Sequence, residues 1–432
     1  MRGHSPRDIL RELVRFDTTN PPGHERPCIA YIQDLLREAD IPAETFALDP
    51  ERPNLVARLP GEGGEPFLMY GHVDVVTTES QEWTYPPFEP VLADNCMYGR
   101  GTLDMKGGVA MMLAALLRMK EEGNVPRGDI LFAALADEEN GSRYGAKHLV
   151  GAHPKLFSGV QYAIGEFGGF SLDVGGTSFY PIAVGEKAHC ILEMTLLGPG
   201  GHGSLPLHGG AMARLGEILA TLDSKRLPVH VTPVPEEMIS RMVSRLGGVQ
   251  GKMLSQLLTP MLTDRVLDLG GDKLKAFDPA LHNTVNATMV RGGEKANVIP
   301  SELTLTLDGR LLPGYDPKDL MKELRLLLGD DLEFKVLHYD PAPKKADLSL
   351  FPTLSSILQE RDPHAVPVPM LLPGYTDARV FAKLGVQTYG FLPMRMPSGF
   401  AFSELIHAAD ERIPLDALDF GADCLYDLLR KR

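Results

Sequence analysis

The chain has 432 residues, of which 44% are hydrophobic and 23% charged, values typical of globular proteins. Its length predicts about two or three domains rather than one. The formal net charge of −14 argues against nucleic acid and against an anionic membrane surface as partners, because both attract basic proteins. A solvated acidic surface explains the charge without any partner.

The four cysteines are far apart in the sequence and form no C-x-x-C pair, so neither a disulfide framework nor a thiolate zinc site is expected. A reducing compartment fits this cysteine usage best. The N-terminal segment lacks the apolar core of a signal peptide, and the apolar runs are shorter than the ~20 residues that span a membrane. We therefore expect a cytoplasmic protein.

The first part of the chain alternates predicted helices with apolar predicted strands. Ser5 can cap a first helix, Pro6 suits its first turn, and an apolar stripe follows at helical spacing. The other predicted elements are a helix over 25–39, strands over 54–59 and 66–71, a helix over 105–123, a strand over 129–136, a helix over 146–150 and a strand over 162–165. This alternation indicates an α/β fold with a mostly parallel sheet flanked by helices.

From about residue 185 the pattern changes to strands that alternate apolar and polar residues, as half-exposed antiparallel strands do. The predicted elements are a strand over 188–198, a helix over 207–222, a mixed stretch over 223–283, strands over 284–290 and 301–310, a helix over 316–328 and a strand over 332–339. After a linker at 341–345, α/β elements resume: helices over 349–361, 376–384 and 414–430 and strands over 366–372 and 386–392. We therefore predict a discontinuous α/β domain (1–186 and 341–432) interrupted by an α+β domain (187–340).

Ligand-type side chains follow the ends of several predicted strands, where sites form in open α/β sheets. His72 in GHVDVV ends an apolar strand, and Asp74 is close enough to orient its imidazole, unless the pairing is incidental. Asp104 in GRGTLDMKGG follows a glycine-rich turn. Its two oxygens can bridge two cations, although an aspartate just before a helix is also a common N-cap.

Another apolar strand ends in Asp137, Glu138 and Glu139, three carboxylates that repel one another unless something compensates. A metal ligand beside a general base provides a reason, and a solvated acidic turn is the alternative. Glu166 ends the strand YAIG, and His407 stands in a loop before the last predicted helix. Each of these two signals is weak by itself.

Together these side chains can balance the charge of two divalent metal ions. Three carboxylates and a bridging hydroxide would offset the four positive charges, with two histidines as neutral ligands. Histidine and carboxylate ligands without thiolate suit Zn²⁺, with Co²⁺ or Mn²⁺ as alternatives. The candidate ligands are His72, Asp104, Glu139, Glu166 and His407.

The motifs, in their order, resemble those of the dinuclear-zinc metallopeptidases that include aminoacylase, glutamate carboxypeptidase, acetylornithine deacetylase and succinyl-diaminopimelate desuccinylase. The spacing of GHVDVV and GRGTLDMKGG is the most specific part of the resemblance. The resemblance extends over nearly the whole chain, through WTYPPFEP (83–90), the Glu138-Glu139 pair, Glu166, GPGGHGS, NVIPSE, LDGRLLPG, TDAR (376–379) and the closing His407. It implies a zinc-exopeptidase-like catalytic domain with an inserted ferredoxin-like lid, through which a homodimer would form.

The resemblance also implies how the ligands divide between the metal ions. His72 and Glu166 would hold one ion, Glu139 and His407 the other, and Asp104 would bridge both. The peptide bond after the bridging aspartate, here Asp104–Met105, is commonly cis in the family.

Further side chains acquire roles from the resemblance. Asp74 would support the imidazole of His72, and Glu138 would be the general base and acid. His202 in GPGGHGS would stabilise an oxyanion, in many members within the active site of the neighbouring subunit. The implied substrate contacts are Asn297, Arg310, Gly374 and Thr376.

Two features depart from the family pattern. Tyr375 stands where the family often has glycine, so we expect a narrowed or reshaped substrate pocket. The inserted domain is enlarged around 223–283, which favours a carboxypeptidase or aminoacylase relative over a desuccinylase.

The sequence thus predicts a metal-dependent hydrolase that cleaves an amide bond in a small peptide or N-acyl amino acid through a metal-bridging hydroxide, with Glu138 as general base. Arg310 suggests that the substrate carries a free carboxylate, because arginine binds carboxylates through a planar fork. The alternative is a catalytically silent homologue that binds peptides or amino-acid derivatives. A serine hydrolase is disfavoured, because the sequence has no G-x-S-x-G motif.

Overall fold

The computed structural model describes residues 5–271 and 274–432. These residues divide into two compact units, described separately below. The first unit runs up to Val184 and also contains Asp347–Pro369 and Thr376–Arg432. The second unit contains Gly185–Ala346 and Met370–Tyr375.

The helices and strands are numbered along the chain. The helices are α1 (Pro6–Arg15), α2 (Arg26–Glu38), α3 (Lys106–Glu121), α4 (Ala146–Ala152), α5 (Ala211–Ser224), α6 (Pro233–Leu246), α7 (Gly248–Ser255), α8 (Pro260–Gly270), α9 (Asp278–Leu281), α10 (Pro317–Leu328), α11 (Phe351–Arg361), α12 (Ala378–Ala382), α13 (Phe402–Leu405) and α14 (Leu415–Lys431). The strands are β1 (Ala43–Phe46), β2 (Asn54–Leu59), β3 (Gly64–His72), β4 (Val91–Ala93), β5 (Cys96–Tyr98), β6 (Gly128–Leu135), β7 (Tyr162–Gly165), β8 (Leu172–Val174), β9 (Thr177–Glu186), β10 (Ala188–Leu197), β11 (Gly201–His202), β12 (Thr284–Arg291), β13 (Val298–Ile299), β14 (Glu302–Leu311), β15 (Glu333–Asp340), β16 (Val366–Leu372), β17 (Gln387–Gly390) and β18 (Arg412–Pro414).

A nine-stranded sheet organises the α/β fold. Its strand order is β1-β2-β6-β3-β7-β17-β9-β16, with β8 paired to β9. The neighbouring strands β6, β3, β7 and β17 run parallel, whereas β1 and β2 at one side and β9 beside β17 pair antiparallel. The predicted class, a mostly parallel sheet flanked by helices, is confirmed, and the antiparallel pairs at its margins are an addition to it.

The first helix shows why the local pattern was readable. Ser5 accepts a hydrogen bond from the backbone N–H of Asp8, Pro6 occupies the first turn, and the apolar stripe is buried. Helix α3 is different, because it is buried around its whole circumference over most of its length. It packs against α1, α14 and β3, so it forms the centre of one helical layer.

Strand β9 was not predicted from the sequence. Its first two residues are polar and it contains Pro181, a residue that cannot donate to a strand ladder. The buried run from Phe179 to Val184 nevertheless adds it to the sheet. The short strands β4, β5 and β18, which form a separate antiparallel sheet, were also missed.

The second unit is built on the antiparallel sheet β12-β14-β10-β15, as the alternating pattern predicted. Helices α5 and α10 contact this sheet and close an apolar core. The mixed stretch 223–283 contains α6, α7, α8 and α9. None of the helices among the described residues combines the length and apolar character needed to cross a membrane.

Candidate metal centre

Three neighbouring parallel strands bring acidic and histidine side chains to one edge of the sheet. His72 is the last residue of β3, the Asp137–Glu139 turn follows β6, and Glu166 follows β7. Because β6, β3 and β7 are adjacent and parallel, their carboxyl ends meet. The loops before α3 and after α13 add Asp104 and His407 to the same cluster.

The two histidines face opposite oxygens of one carboxylate. His72 Nε2 lies 3.1 Å from Asp104 Oδ1 and 3.3 Å from Glu166 Oε2. His407 Nε2 lies 3.0 Å from Asp104 Oδ2 and 3.3 Å from Glu139 Oε1. The structure therefore assembles two groups of donors that share Asp104.

This donor set fits divalent metal ions. With metal–ligand distances of roughly 2.1 Å, two ligands of a tetrahedral ion are about 3.4 Å apart, close to the separations found here. Oε1 of Glu139 is buried and has no hydrogen-bond partner among the described residues, although it lies 3.3 Å from His407 Nε2. Such an oxygen is a ready metal ligand, because its lone pairs are unused. Ligand atoms of His72, Glu138 and Glu166 also lie within 4.8 Å of one another.

Asp74 holds the turn that carries Glu138 and Glu139. Its carboxylate accepts hydrogen bonds from the backbone N–H groups of Glu138 and Glu139, each at 3.1 Å, and from Asn20 Nδ2 at 2.8 Å. His72 Nδ1 lies 2.9 Å from the backbone carbonyl of Asp74 and 3.6 Å from its carboxylate. The backbone oxygen of Asp74 is thus the closer support of the imidazole.

Asp137 does not join the cluster, which resolves the apparent crowding of three consecutive carboxylates. One of its oxygens accepts from Asn20 Nδ2 at 3.0 Å and lies 3.1 Å from Arg52 Nη1. Its other oxygen accepts from the backbone N–H of Tyr144 at 3.0 Å. Sequence reasoning missed Asn20 and Arg52, because a lone amide and a distant arginine carry no recognisable spacing.

Burial raises the pKa of the three glutamates in the cluster. For Glu138 the pKa rises well above its usual range, and the neighbouring charge of Glu166 adds to the effect. Burial also raises the pKa of Glu139 and Glu166, although the adjacent imidazole of His407 or His72, respectively, works in the opposite direction. Glu138 therefore has the high proton affinity that suits a general base.

The pKa values of His407 and Asp104 are shifted in favour of their charged forms. The adjacent carboxylates of Asp104 and Glu139 raise the pKa of His407 to about 10. Burial by itself would raise the pKa of Asp104, but hydrogen bonds from His407 and His72 hold it far below its usual range. Asp104 is therefore an anion between two imidazoles.

The alternative role of Asp104 as a helix cap is not observed. The residue before the first turn of α3 is Met105, and no side chain caps that end. The Asp104–Met105 peptide bond is cis, as the resemblance implied.

Asp377 in the TDAR motif was overlooked as a candidate. It is 1% exposed, and burial raises its pKa to about 7, with Glu166 among the neighbouring charges. Asp377 is part of the TDAR motif, but only Thr376 of that motif was predicted to bind the substrate. Thr376 is buried in the first unit, and its hydroxyl accepts a hydrogen bond from the backbone N–H of Ala378.

The other predicted substrate-binding residues belong to the second unit. His202 in β11 pairs with Val298 in β13, so His202 and Asn297 are neighbours, and both are exposed. Imidazole Nδ1 of His202 lies 2.7 Å from Ser204 Oγ.

Arg310 is held by a neighbouring carboxylate and lies beside an aromatic ring. It donates to both oxygens of Asp308, at 2.8 and 3.0 Å. Its guanidinium carbon lies 5.4 Å from the ring centre of Tyr375, the residue that follows Gly374. The tyrosine ring also stacks on His189. Tyr375 therefore adds an aromatic wall beside Arg310.

Comparison with known proteins defines the class of this protein. Residues 68–431 match the model of "Peptidase family M20/M25/M40", which is most of the chain. The chain belongs to this family and is a metallo-hydrolase. The resemblance inferred from the motifs is confirmed.

Particular relatives are identical to this chain at about a quarter of the aligned positions. The chain is 27% identical over 389 residues to "Probable carboxypeptidase S-like 2" of Dictyostelium discoideum, covering 85% of this chain and 72% of the relative. It is 27% identical over 383 residues to the human "N-fatty-acyl-amino acid synthase/hydrolase PM20D1", covering 85% and 74%. Among solved structures, the M20 family metallo-carboxypeptidase Sso-CP2 from Sulfolobus solfataricus shares the fold, with a TM-score of 0.69, 18% identity and 98% coverage of each chain.

Proposed function

We propose that the protein hydrolyses an amide bond in a small peptide or an N-acyl amino acid. The cluster around Asp104 carries this proposal, because two histidines and three carboxylates converge there beside a fourth carboxylate of high proton affinity. The names of the relatives, a carboxypeptidase and an N-fatty-acyl-amino acid hydrolase, support an amide in a molecule of this kind.

We assign the metal ligands as two sets that share one carboxylate. His72 and Glu166 would hold one ion and Glu139 and His407 the other, with one oxygen of Asp104 directed to each. Two bound ions would lower the pKa of a water molecule and polarise the scissile carbonyl. Zn²⁺ is the proposed ion and Co²⁺ or Mn²⁺ the alternatives, because the donors are nitrogen and oxygen without thiolate.

Glu138 performs the proton transfers in this proposal. Its carboxylate takes a proton from the attacking water as the new carbon–oxygen bond forms. It then gives that proton to the amine nitrogen as the carbon–nitrogen bond breaks, so the glutamate ends the cycle ionised. The raised pKa of Glu138 supports both roles, because a weaker acid is a stronger base.

We also propose accessory roles for other side chains. Asp74 holds the backbone of Glu138 and Glu139 and so keeps base and ligand in register. His202 is proposed to donate to the oxyanion, and Asn297, Arg310, Gly374 and Thr376 to bind the substrate. His407 is 49% exposed whereas His72 is 1% exposed, so solvent reaches the cluster from the side of His407.

A substrate panel tests the proposal. Metal-free protein should be loaded with zinc, cobalt or manganese and assayed on C-terminal dipeptides and on N-acyl amino acids. We expect turnover of at least one class, lost on chelation and restored by metal. Two bound ions per chain without turnover of either class would instead favour a binding protein without catalysis.

We also propose that the protein forms a homodimer and that it is cytoplasmic. The exposed edge strand β12 supports a homodimer through the second unit, because a strand that is paired on one side only can pair with its copy across a two-fold axis. The four buried, unpaired cysteines support a reducing, cytoplasmic location. Light scattering of the purified protein would test the dimer.

A further inference from the structure

A buried ion pair lies beside the candidate metal centre without contributing a ligand to it. Arg100 and Glu411 are 1% and 0% exposed, and Arg100 Nη1 donates to Glu411 Oε2 at 2.7 Å. Arg100 follows β5, and Glu411 immediately precedes β18, which pairs with β5. The ion pair therefore joins the loop of Asp104 to the loop of His407.

Glu411 holds the backbone that presents Asp104. Its Oε1 accepts hydrogen bonds from the N–H groups of Leu103, at 2.7 Å, and of Asp104, at 3.1 Å. Its Oε2 accepts from the N–H of Gly101 at 3.0 Å, in addition to the bond from Arg100. One carboxylate thus fixes three amides of the turn that ends in the shared aspartate.

Arg100 reaches the other loop. Its Nη1 donates to the carbonyl of Ala408 at 3.2 Å, and its Nη2 donates to Gln81 Oε1 at 2.8 Å. Gln81 Nε2 in turn donates to the carbonyl of His407 at 2.8 Å. The backbone of His407, which has a φ of 63°, is therefore held through the same network.

Stability by itself does not explain such a pair. Burying two charges costs about as much free energy as their attraction returns, so a well-packed apolar pair would serve a merely structural role equally well. Placement does explain it, because a metal site needs its ligands held within roughly 0.5 Å of the productive geometry. Among the described residues, all the side-chain hydrogen bonds of Glu411 come from the Asp104 turn or from Arg100.

We infer that Arg100 and Glu411, with Gln81, form a positioning unit that sets Asp104 and His407 relative to each other for metal binding. The inference rests on the proposed function for the assignment of these two ligands. None of the three side chains is a proposed ligand, so each acts through the backbone of one. Loss of such support typically weakens metal binding about 10- to 100-fold.

The test compares two variants with a control. Glu411→Gln retains one acceptor oxygen but replaces the other with an N–H group, which opposes the donors from Gly101 and Arg100. Gln81→Ala removes the shorter of two bonds to the His407 carbonyl and leaves the 3.4 Å bond from Arg100 Nη2. It buries no charge, so it keeps the test valid if Glu411→Gln does not fold. The control is Tyr180→Phe, which removes a buried 2.7 Å hydrogen bond to Asp362 in the same unit.

Zinc dissociation constants are measured on metal-free protein by competition with a chromogenic chelator, together with the unfolding temperature of each metal-free form. We expect about 10- to 100-fold weaker zinc binding in Glu411→Gln, a smaller loss in Gln81→Ala and wild-type binding in Tyr180→Phe. Lowered unfolding temperatures with wild-type zinc binding in all three variants would overturn the inference alone. A wild-type protein that binds no zinc, cobalt or manganese would overturn the proposed function as well.

Discussion

At the scale of single residues, the candidate centre contains carboxyl groups whose pKa values are shifted in opposite directions. Burial and the charge of Glu166 raise the pKa of Glu138, while His72 and His407 keep Asp104 an anion. Equivalent carboxyl groups thus acquire different roles from their neighbours alone. Glu138 also differs from Glu139 in having no histidine within ion-pair distance among the described residues.

Replacing Glu138 with glutamine tests its role as the base. Glutamine keeps the size of the side chain but cannot take a proton. We expect Glu138→Gln to bind two metal ions with near wild-type affinity and to lose at least about 100-fold in kcat, the lower end of the usual contribution of general base catalysis. Metal content and steady-state kinetics measure the two effects. Near-normal hydrolysis in the metal-loaded variant would contradict the assignment.

Much of the candidate centre was predictable at this scale. His72, Glu139 and Glu166 follow apolar strands, and the carboxyl ends of parallel strands meet, so their convergence follows from the sequence pattern. The support of Asp104 by Glu411 was not predictable, because it consists of bonds to backbone amides, which no side-chain motif records. The same holds for Asp74, whose carboxylate binds the amides of Glu138 and Glu139.

At the scale of elements, strands set the positions of the proposed ligands, and helix α3 packs against strand β3. Strand β3 pairs on both sides with parallel neighbours, so the position of His72 is fixed by two ladders. Helix α3 begins just after Asp104 and is buried around its circumference. The aromatic rings of Phe170 and Phe402 stack with centres 4.1 Å apart, which joins the segment after Glu166 to the helix before His407.

A cavity in α3 tests how much the packing of this helix stabilises the fold. Leu113 is 0% exposed, so Leu113→Ala removes buried methyl groups without an obvious way to fill the space. We expect a loss of about 2–5 kcal/mol in the free energy of unfolding. Chemical denaturation measures it.

The matched control for this variant is Leu326→Ala on α10, where the leucine is 72% exposed. The change there should stay within about 0.5 kcal/mol. Equal losses of unfolding free energy in the two variants would contradict the expectation that the buried side chains of α3 stabilise the fold.

Element prediction succeeded where one period dominated the sequence. Strand β2 was predicted with its observed bounds, 54–59, because four of its six residues are apolar and a proline stands on either side. Helix α12 proved shorter than the predicted 376–384, spanning Ala378–Ala382. Strand β9 was not predicted, because proline at 181 and two polar residues at its start are unusual in a buried strand. The strand lies between β17 and β16 in the sheet, and this pairing is not visible in the local sequence.

At the scale of the whole molecule, the candidate metal centre lies within one unit, although its proposed ligands come from both ends of the chain. All five proposed ligands belong to the first unit, whereas His202, Asn297 and Arg310 belong to the second. The inserted unit has its own apolar core and its own antiparallel sheet. Metal binding is therefore expected to stabilise the first unit directly.

Removal of metal tests this expectation. A ligand at 100 times its dissociation constant stabilises the folded state by about 2.7 kcal/mol per site. We expect chelation to lower the unfolding temperature of the transition that belongs to the first unit, and zinc to restore it, as measured by calorimetry. A transition that belongs to the second unit alone should not move. An unfolding profile that is identical with and without zinc would contradict the proposed centre.

The discontinuity of the first unit also sets an order of events during synthesis. His72, Asp104, Glu139 and Glu166 leave the ribosome before the second unit, and His407 leaves it afterwards. Glu411, which holds the turn of Asp104, follows His407 within the same loop. A nascent chain therefore carries four of the five proposed metal ligands long before His407 and Glu411. Assembly of a working centre must wait until the inserted unit has been made and the separate segments of the first unit have met.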